Sequence, residues 1–281
     1  MDRREQVLEK VRSIPSIPTA ANRMMSLLKD PEVDINVLIR TIEFDPGLTT
    51  NVLRLANSAY FGGPRTIASL RDALVRLGMN RVFQLVMMTA IVPIARQELK
   101  GYVLPPGKLL EHSIVVAVGA EELARKLRLL LPAHAFTAGL LHDLGKVILG
   151  TFVEVDANAI VDLAFGEKVS FEVAERQVLG IDHAEAGAEL LECWNLPLEI
   201  VEVVRNHHQP DVPASDQLVV DLVHAADRIA VETGFGMGID GLNYRYSNDV
   251  IARLKLRPAT AEAVACRMIS GLEEFRAITN A

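Results

Sequence analysis

Cysteine is nearly missing from this 281-residue chain, with only Cys193 and Cys266 present. Their number excludes a disulfide scaffold and a cysteine-rich zinc or iron–sulfur site, and fits a reducing compartment. Positive charge is in deficit: the formal net charge is −7 with 23% charged residues, so the surface repels phosphate polymers. No local basic patch offsets that, and nucleic-acid binding is not expected. Long hydrophobic runs are absent too. The longest apolar region, Val82 to Ala95, is interrupted by Gln84 and Pro93 and falls short of the ~20 residues needed to span a bilayer. It reads as a buried core helix, and no membrane role is expected. The opening Met1-Asp2-Arg3-Arg4-Glu5 runs into an amphipathic pattern without the apolar segment and cleavage site of a secretory signal. The expected location is cytoplasmic. Aromatic residues make up only 5%.

What is present is a 50% hydrophobic chain, enough to bury a sizeable core. Leu, Ala, Val, Ile and Met recur at three- and four-residue spacings, the period of helices rather than strands, which predicts an all-α fold. Val7, Val11 and Ile14 mark a first helix, and Ala20, Met24, Leu27 and Leu28 a second that stops at Asp30-Pro31. Asp34 caps a third, Asp45-Pro46-Gly47 breaks the pattern before a fourth, and Ser69 and Gly78 bound a fifth. A longer helix from Asn80 to about Gln97 closes this N-terminal unit. Tyr102 to Gly107, with two prolines, is the expected linker, dividing the chain into units 1–103 and 104–281. Further helices are expected near 108–127, 133–149, 156–165, 170–178, 182–194, 197–208, 215–232 and 258–275. The Gly-rich loop from Gly234 to Gly241 reads equally as a lid or a connector.

Only seven histidines occur, yet five of them fall with two aspartates on apolar helix faces or at helix ends. His112 shares a face with Leu109, Val115, Val116 and Gly119 and should point inward. Asp227 lies at helical spacing from Val220, Val223, Ala230 and Val231. A carboxylate on such a stripe demands a cationic partner or a metal ion. His142-Asp143 is set into the apolar run around Leu140, Leu141, Leu144, Val147 and Ile148, where neighbouring side chains diverge by about 100° and other helices must complete any metal shell. His183 occupies the first turn of a helix capped by Asp182 with Glu185 behind it. His207 and His208 end the next helix, where the dipole favours a cation. The set offers imidazole nitrogen and carboxylate oxygen, suited to iron, manganese, zinc or nickel.

Ile14-Pro15-Ser16-Ile17-Pro18, Asp45-Pro46-Gly47-Leu48-Thr49, Ala56-Asn57-Ser58-Ala59-Tyr60-Phe61, Leu77-Gly78-Met79, His142 to Lys146 and Trp194-Asn195-Leu196-Pro197 occur in this order. Through them the chain, from about residue 13 to 230, resembles the HDOD proteins (HD-related output domain), a bacterial branch of the HD superfamily of metal-dependent phosphohydrolases. The resemblance implies an N-terminal helical bundle packed on an HD-like helical core. It further implies that His112, His142, Asp143 and Asp227 match one metal site, that His183, His207 and His208 match the additional ligands of binuclear members, and that Asp143 can bridge. One or two transition-metal ions are thus the implied cofactor. Lys146 matches a lysine lying near the phosphate in cyclic-dinucleotide phosphodiesterases of the HD-GYP branch. After His207-His208, however, comes Gln209-Pro210-Asp211-Val212-Pro213. The Gly-Tyr-Pro motif of that branch is absent, which speaks against cyclic di-GMP hydrolysis.

Taken singly, each histidine is more often a hydrogen-bonded structural residue than a ligand, and His134 and His224 are read that way. A lysine on an apolar helix commonly snorkels to solvent. The leading expectation is a stand-alone regulatory module, acting through ligand- or metal-dependent association with a signalling protein and open to a nucleotide or phosphate ligand. The alternative is a metal-dependent phosphohydrolase or phosphodiesterase, with Asp143 and Lys146 as catalytic candidates. A DNA-binding role ranks last.

Overall fold

A computed structural model describes residues 2–15, 17, 21, 34–130, 133–236, 238–241, 243–244 and 247–279. Among them the chain is all-α, with no strand beyond one isolated bridge between Leu99 and Leu104. The helix expected through Ala20 and Leu28, with the Met24-Met25 pair, lies outside the described residues.

The N-terminal elements start where short polar side chains cap them. Asp2 opens α1 (Arg3–Ser13) with a reciprocal capping box to Glu5. Asp34 accepts from the Asn36 N–H to open α2 (Ile35–Glu43), and Asp45 does the same for Leu48 ahead of α3 (Pro46–Ala56), with Pro46 in the first turn. Ser69 caps α4 (Leu70–Leu77), and Gly78, at φ +81°, turns the chain into α5 (Met79–Ala95). The apolar run Val82–Ala95 is indeed a core helix, with Val82 to Met88 buried throughout. No helix among the described residues is long and apolar enough to cross a membrane.

The segment expected to link two units is itself packed. Leu99, Gly101, Tyr102 and Leu104 are buried, and a Cβ on Gly101 would stand 2.1 Å from the Gly150 carbonyl oxygen. The two prolines lie in the turn that leads into the helix starting at Lys108. Helix α1 lies on the far side of this segment in sequence but against the C-terminal helices in space, through Arg3–Asp156 and Arg4–Glu185 pairs.

Beyond it, α6 (Lys108–Lys126) is the central rod, buried from Ser113 to Ala124. Around it pack α7 (Ala135–Leu141), α12 (Gln217–Glu232) and α14 (Pro258–Thr279). An outer layer consists of α8 (Gly145–Val161), α9 (Phe171–Leu179), α10 (His183–Cys193) and α11 (Leu198–Asn206). Two boundaries differ from expectation. The single helix expected over 133–149 breaks at residues 142–144, where hydrogen bonds tighten to three-residue spacing. The helix expected at 156–165 is the continuation of α8, bent at Asp156 and ending in a π turn over Asp162–Gly166. A short helix, α13 (Asn248–Leu254), capped by Ser247, was not expected.

Candidate metal centre

All seven residues singled out from the sequence come together at the centre of the C-terminal layers. His112 projects from the middle of α6, and Asp227 from α12 beside it. His142 and Asp143 occupy the break between α7 and α8, His183 begins α10, and His207 and His208 follow α11. The break can sit close to α10 because residue 145 is glycine: a Cβ there would stand 1.8 Å from the His183 carbonyl oxygen.

Two donor groups share Asp143. On one side, His112 Nε2 lies 3.1 Å from Asp227 Oδ1, 3.4 Å from Asp143 Oδ2 and 3.2 Å from His142 Nε2. His142 Nε2 is 3.6 Å from Asp143 Oδ2 and 3.7 Å from Asp227 Oδ1. On the other side, Asp143 Oδ1 is 3.4 Å from His183 Nε2 and 3.7 Å from His207 Nε2, while His183 and His208 bring their Nε2 atoms to 2.8 Å. Two donors bound to one ion at about 2.0–2.2 Å stand about 3.3–3.6 Å apart at tetrahedral corners, and the separations here, from 2.8 to 3.7 Å, bracket that range. The Asp143, His183, His207 and His208 donor atoms lie within 4.8 Å of one another, as do those of His112, His142 and Asp143. Asp143 Oδ1 and His207 Nε2 are buried without any hydrogen-bond partner. An ion would satisfy both, so the donor set fits a metal.

Several imidazoles are oriented before any ion arrives. His142 is the residue that ends α7, and its Nδ1–H donates to the Gly139 carbonyl three residues back; His207 ends α11 and donates to Val204 in the same way. Helix C-termini leave such carbonyls free. Each bond commits Nε2 to carry the lone pair. His183 donates Nδ1–H to Glu175 Oε2 at 2.6 Å.

The charges follow from burial and neighbours. Burial opposes the ionised form of Asp143, but the Lys146 ammonium and the imidazoles of His142 and His183 hold its carboxyl well below the usual carboxylate range. The neighbouring imidazoles of His112 and His142 do the same for Asp227 against its own burial penalty. Burial pushes His207 and His208 down, leaving them neutral donors. It also opposes the charge on His183, where Glu175 prevails and lifts the group to about 9.

Lys146 does not snorkel. It is 3% exposed, and its ammonium sits 2.7 Å from both Asp143 Oδ2 and Asp240 Oδ2, keeping it charged despite burial. His224 is structural, donating to the His207 carbonyl and accepting from the Ser247 N–H, and His134 pairs with Asp216 away from the centre. The stretch of α12 around His224 is buried, together with its polar neighbours Asp221 and Arg228.

Four residues of the centre escaped the sequence reading. Glu175 and Tyr102 form a buried pair behind His183, and Asp240 and Tyr244 one behind Lys146. Tyr244 stacks on His208, with ring centroids 4.4 Å apart. Glu175 carried the same signal as Asp227, a carboxylate sharing an apolar face with Phe171, Val178 and Leu179. Asp240 and Tyr244 follow no periodicity and gave none. Of the seven residues His208 alone also lines a cavity of about 410 Å³, with Gln209, Pro210, Asp211, Val212, His224 and Ser247.

The HDOD domain family matches residues 14–210 of this chain. A phosphohydrolase-like protein from Shewanella amazonensis SB2B has a similar structure, with a TM-score of 0.72 and 25% identity, covering 95% of this chain and 96% of its own. An HDOD domain protein from Geobacter sulfurreducens superposes with a TM-score of 0.67 and 27% identity over 95% of this chain and 90% of its own. An uncharacterized protein of Treponema pallidum (strain Nichols) is 23% identical over 228 residues, 79% of this chain and 43% of that protein. The chain thus spans less than half the length of the curated relatives it matches.

Proposed function

Because the chain belongs to the HDOD domain family, we propose that it is a regulatory module whose helical core holds one or two transition-metal ions and passes their occupancy, or that of a bound nucleotide or phosphate, to a signalling protein. The observation that carries this reading is the division of Asp143 between two imidazole groups, with Oδ1 and His207 Nε2 buried and unpartnered. His112, His142, Asp143 and Asp227 would hold one ion, and His183, His207, His208 and Asp143 the other. The mixed nitrogen and oxygen donors suit iron, manganese, zinc or nickel. Residues 1–103 would present the partner surface and 104–281 the metal core.

A second reading, metal-dependent phosphohydrolase, draws support from the shared carboxylate and the cavity that opens at His208. Bound ions there would supply positive charge and an activated water for attack on a phosphate ester. Asp143 would bridge them. Lys146 is enclosed by two carboxylates, so contact with a phosphate requires it to leave one of them. Enclosure of this candidate phosphate contact favours the regulatory reading.

Elemental analysis of protein purified without chelator, beside an Asp143→Ala control, tests the metal centre. One or two equivalents in the parent and a large loss in the variant are expected; no uptake by the parent, even on reconstitution, overturns it. Turnover of phosphomonoesters, cyclic nucleotides or nucleotides above a His142→Ala control would transfer the conclusion to the hydrolase.

A further inference from the structure

His183 has an anchoring problem that His142 and His207 do not. Those two end their helices, where the carbonyl three residues back is free to accept from Nδ1–H. His183 is the first residue of α10, following its cap Asp182. The free backbone groups at that end of a helix are N–H donors, so an acceptor for its imidazole must come from elsewhere in the fold.

Glu175 fills that place. It is fully buried on α9, and its Oε2 accepts both the His183 backbone N–H at 3.0 Å and the Nδ1–H at 2.6 Å. Its Oε1 accepts the hydroxyl of Tyr102, itself wholly buried. One carboxylate therefore satisfies an orphan donor of the helix and fixes the imidazole so that Nε2 faces Asp143. Charge makes a second argument. The group around His112 draws on two carboxylates, Asp143 and Asp227, whereas the group around His183 offers three imidazoles, which carry no charge as ligands, and only a share of Asp143.

We propose that Glu175 is the positioning residue of the His183 group: it orients that imidazole and supplies the missing negative charge, so that the affinity of one metal position, and not the other, depends on it. The inference rests on the two-ion reading above. A carboxylate behind a ligating histidine is worth about 10- to 100-fold in metal affinity, and the hydrogen bonds of Glu175 run to Tyr102 and His183, not to His112, His142 or Asp227.

The test is a Zn²⁺ titration of the metal-stripped full chain against a chromophoric chelator, which reads the affinity of each equivalent directly. In Glu175→Gln one equivalent should weaken by about 10- to 100-fold while the other stays within about threefold of the parent. In Tyr102→Phe, which leaves the Glu175–His183 pair in place, the same equivalent should weaken by a smaller factor. Unchanged affinities in Glu175→Gln, or equal weakening of both equivalents in a folded variant, overturn the proposal. If Glu175→Gln does not fold, Tyr102→Phe decides: selective weakening supports the assignment and no change overturns it. A parent that binds no Zn²⁺ at all fails the metal reading itself, whereas a parent that binds two and a Glu175→Gln variant that binds both equally well fails only this inference.

Discussion

Replacing Gly145 by alanine tests whether the close approach of two helices, and not donor chemistry alone, assembles the centre. An added Cβ would stand 1.8 Å from the His183 carbonyl oxygen and 2.6 Å from the Gly187 nitrogen. Both are backbone atoms that no rotamer can move. Restoring ordinary contact requires α8 and α10 to part by roughly 1.5 Å. His183 Nε2 now lies 3.4 Å from Asp143 Oδ1, and the same displacement carries it to roughly 5 Å. Two donors on one ion with bonds of about 2.1 Å cannot be further apart than about 4.2 Å. Gly145→Ala should therefore lose the ion of the His183 group and keep that of the His112 group. Overpacking of this kind costs about 1–3 kcal/mol, which lowers the melting temperature of a chain this size by several degrees. Thermal unfolding of metal-free protein and elemental analysis of the loaded protein read the two effects. Gly187→Ala is the comparison: its Cβ would meet Gly145 N at 3.1 Å and Val204 Cγ1 at 3.2 Å, gaps that a few tenths of an ångström relieve. A Gly145→Ala protein that melts with the parent and holds its full metal complement would refute the packing argument.

Two further predictions concern charge. In metal-free protein burial opposes and Glu175 sustains a His183 group lifted from 6.5 to about 9. A raised folded value stabilises fully below the unfolded pKa and is lost as pH climbs from 6.5 through about 9, a contribution on the order of 3 kcal/mol. Urea midpoints between pH 6 and 10 should fall across that window and flatten in Glu175→Gln; a flat profile in the parent contradicts the assignment. Asp240→Asn leaves Lys146 with Asp143 alone and should cost about 2–3 kcal/mol, less than a wholly broken buried pair. Lys146→Met abandons two buried carboxylates and should cost more, so the reverse order in denaturant titrations would show that the ammonium is not what holds them.

The legible part of this protein was written at helix ends and on helix faces. Asp34, Ser69 and Asp182 are caps in the sequence and caps in the structure, because a short polar side chain before an apolar period has few other uses. Asp227 betrayed itself by its place on a buried stripe. The break at residues 142–144 was not legible, since the apolar residues from Leu140 to Ile148 keep a helical spacing, and the close approach of Gly145 to α10 is a contact no local pattern shows. Tyr102 misled for a related reason: two following prolines read as a linker, while the hydroxyl it spends on Glu175 depends on a partner 73 residues away. Glu175 was within reach of the reasoning that found Asp227, but glutamate is so common on helix surfaces that its spacing drew no notice.

The Gly-rich loop, open between lid and connector in the sequence, acquires a definite relation to the centre through three residues. Gly236, at φ +77°, lies so close to His112 that a Cβ would stand 2.4 Å from its Nδ1. That nitrogen is buried with no hydrogen-bond partner, unlike the Nδ1 atoms of His142, His183 and His207. On its Nδ1 side the ring of His112 is therefore held by packing, where the others are held there by acceptors. Ile239 donates its N–H to the Tyr102 carbonyl at 2.8 Å, and Asp240 grips Lys146. The loop thus touches the His112 group through Gly236, the His183 group through Tyr102 and Glu175, and the shared Asp143 through Lys146. A displacement of this one segment would loosen all three supports at once, which a plain connector between helices would not do.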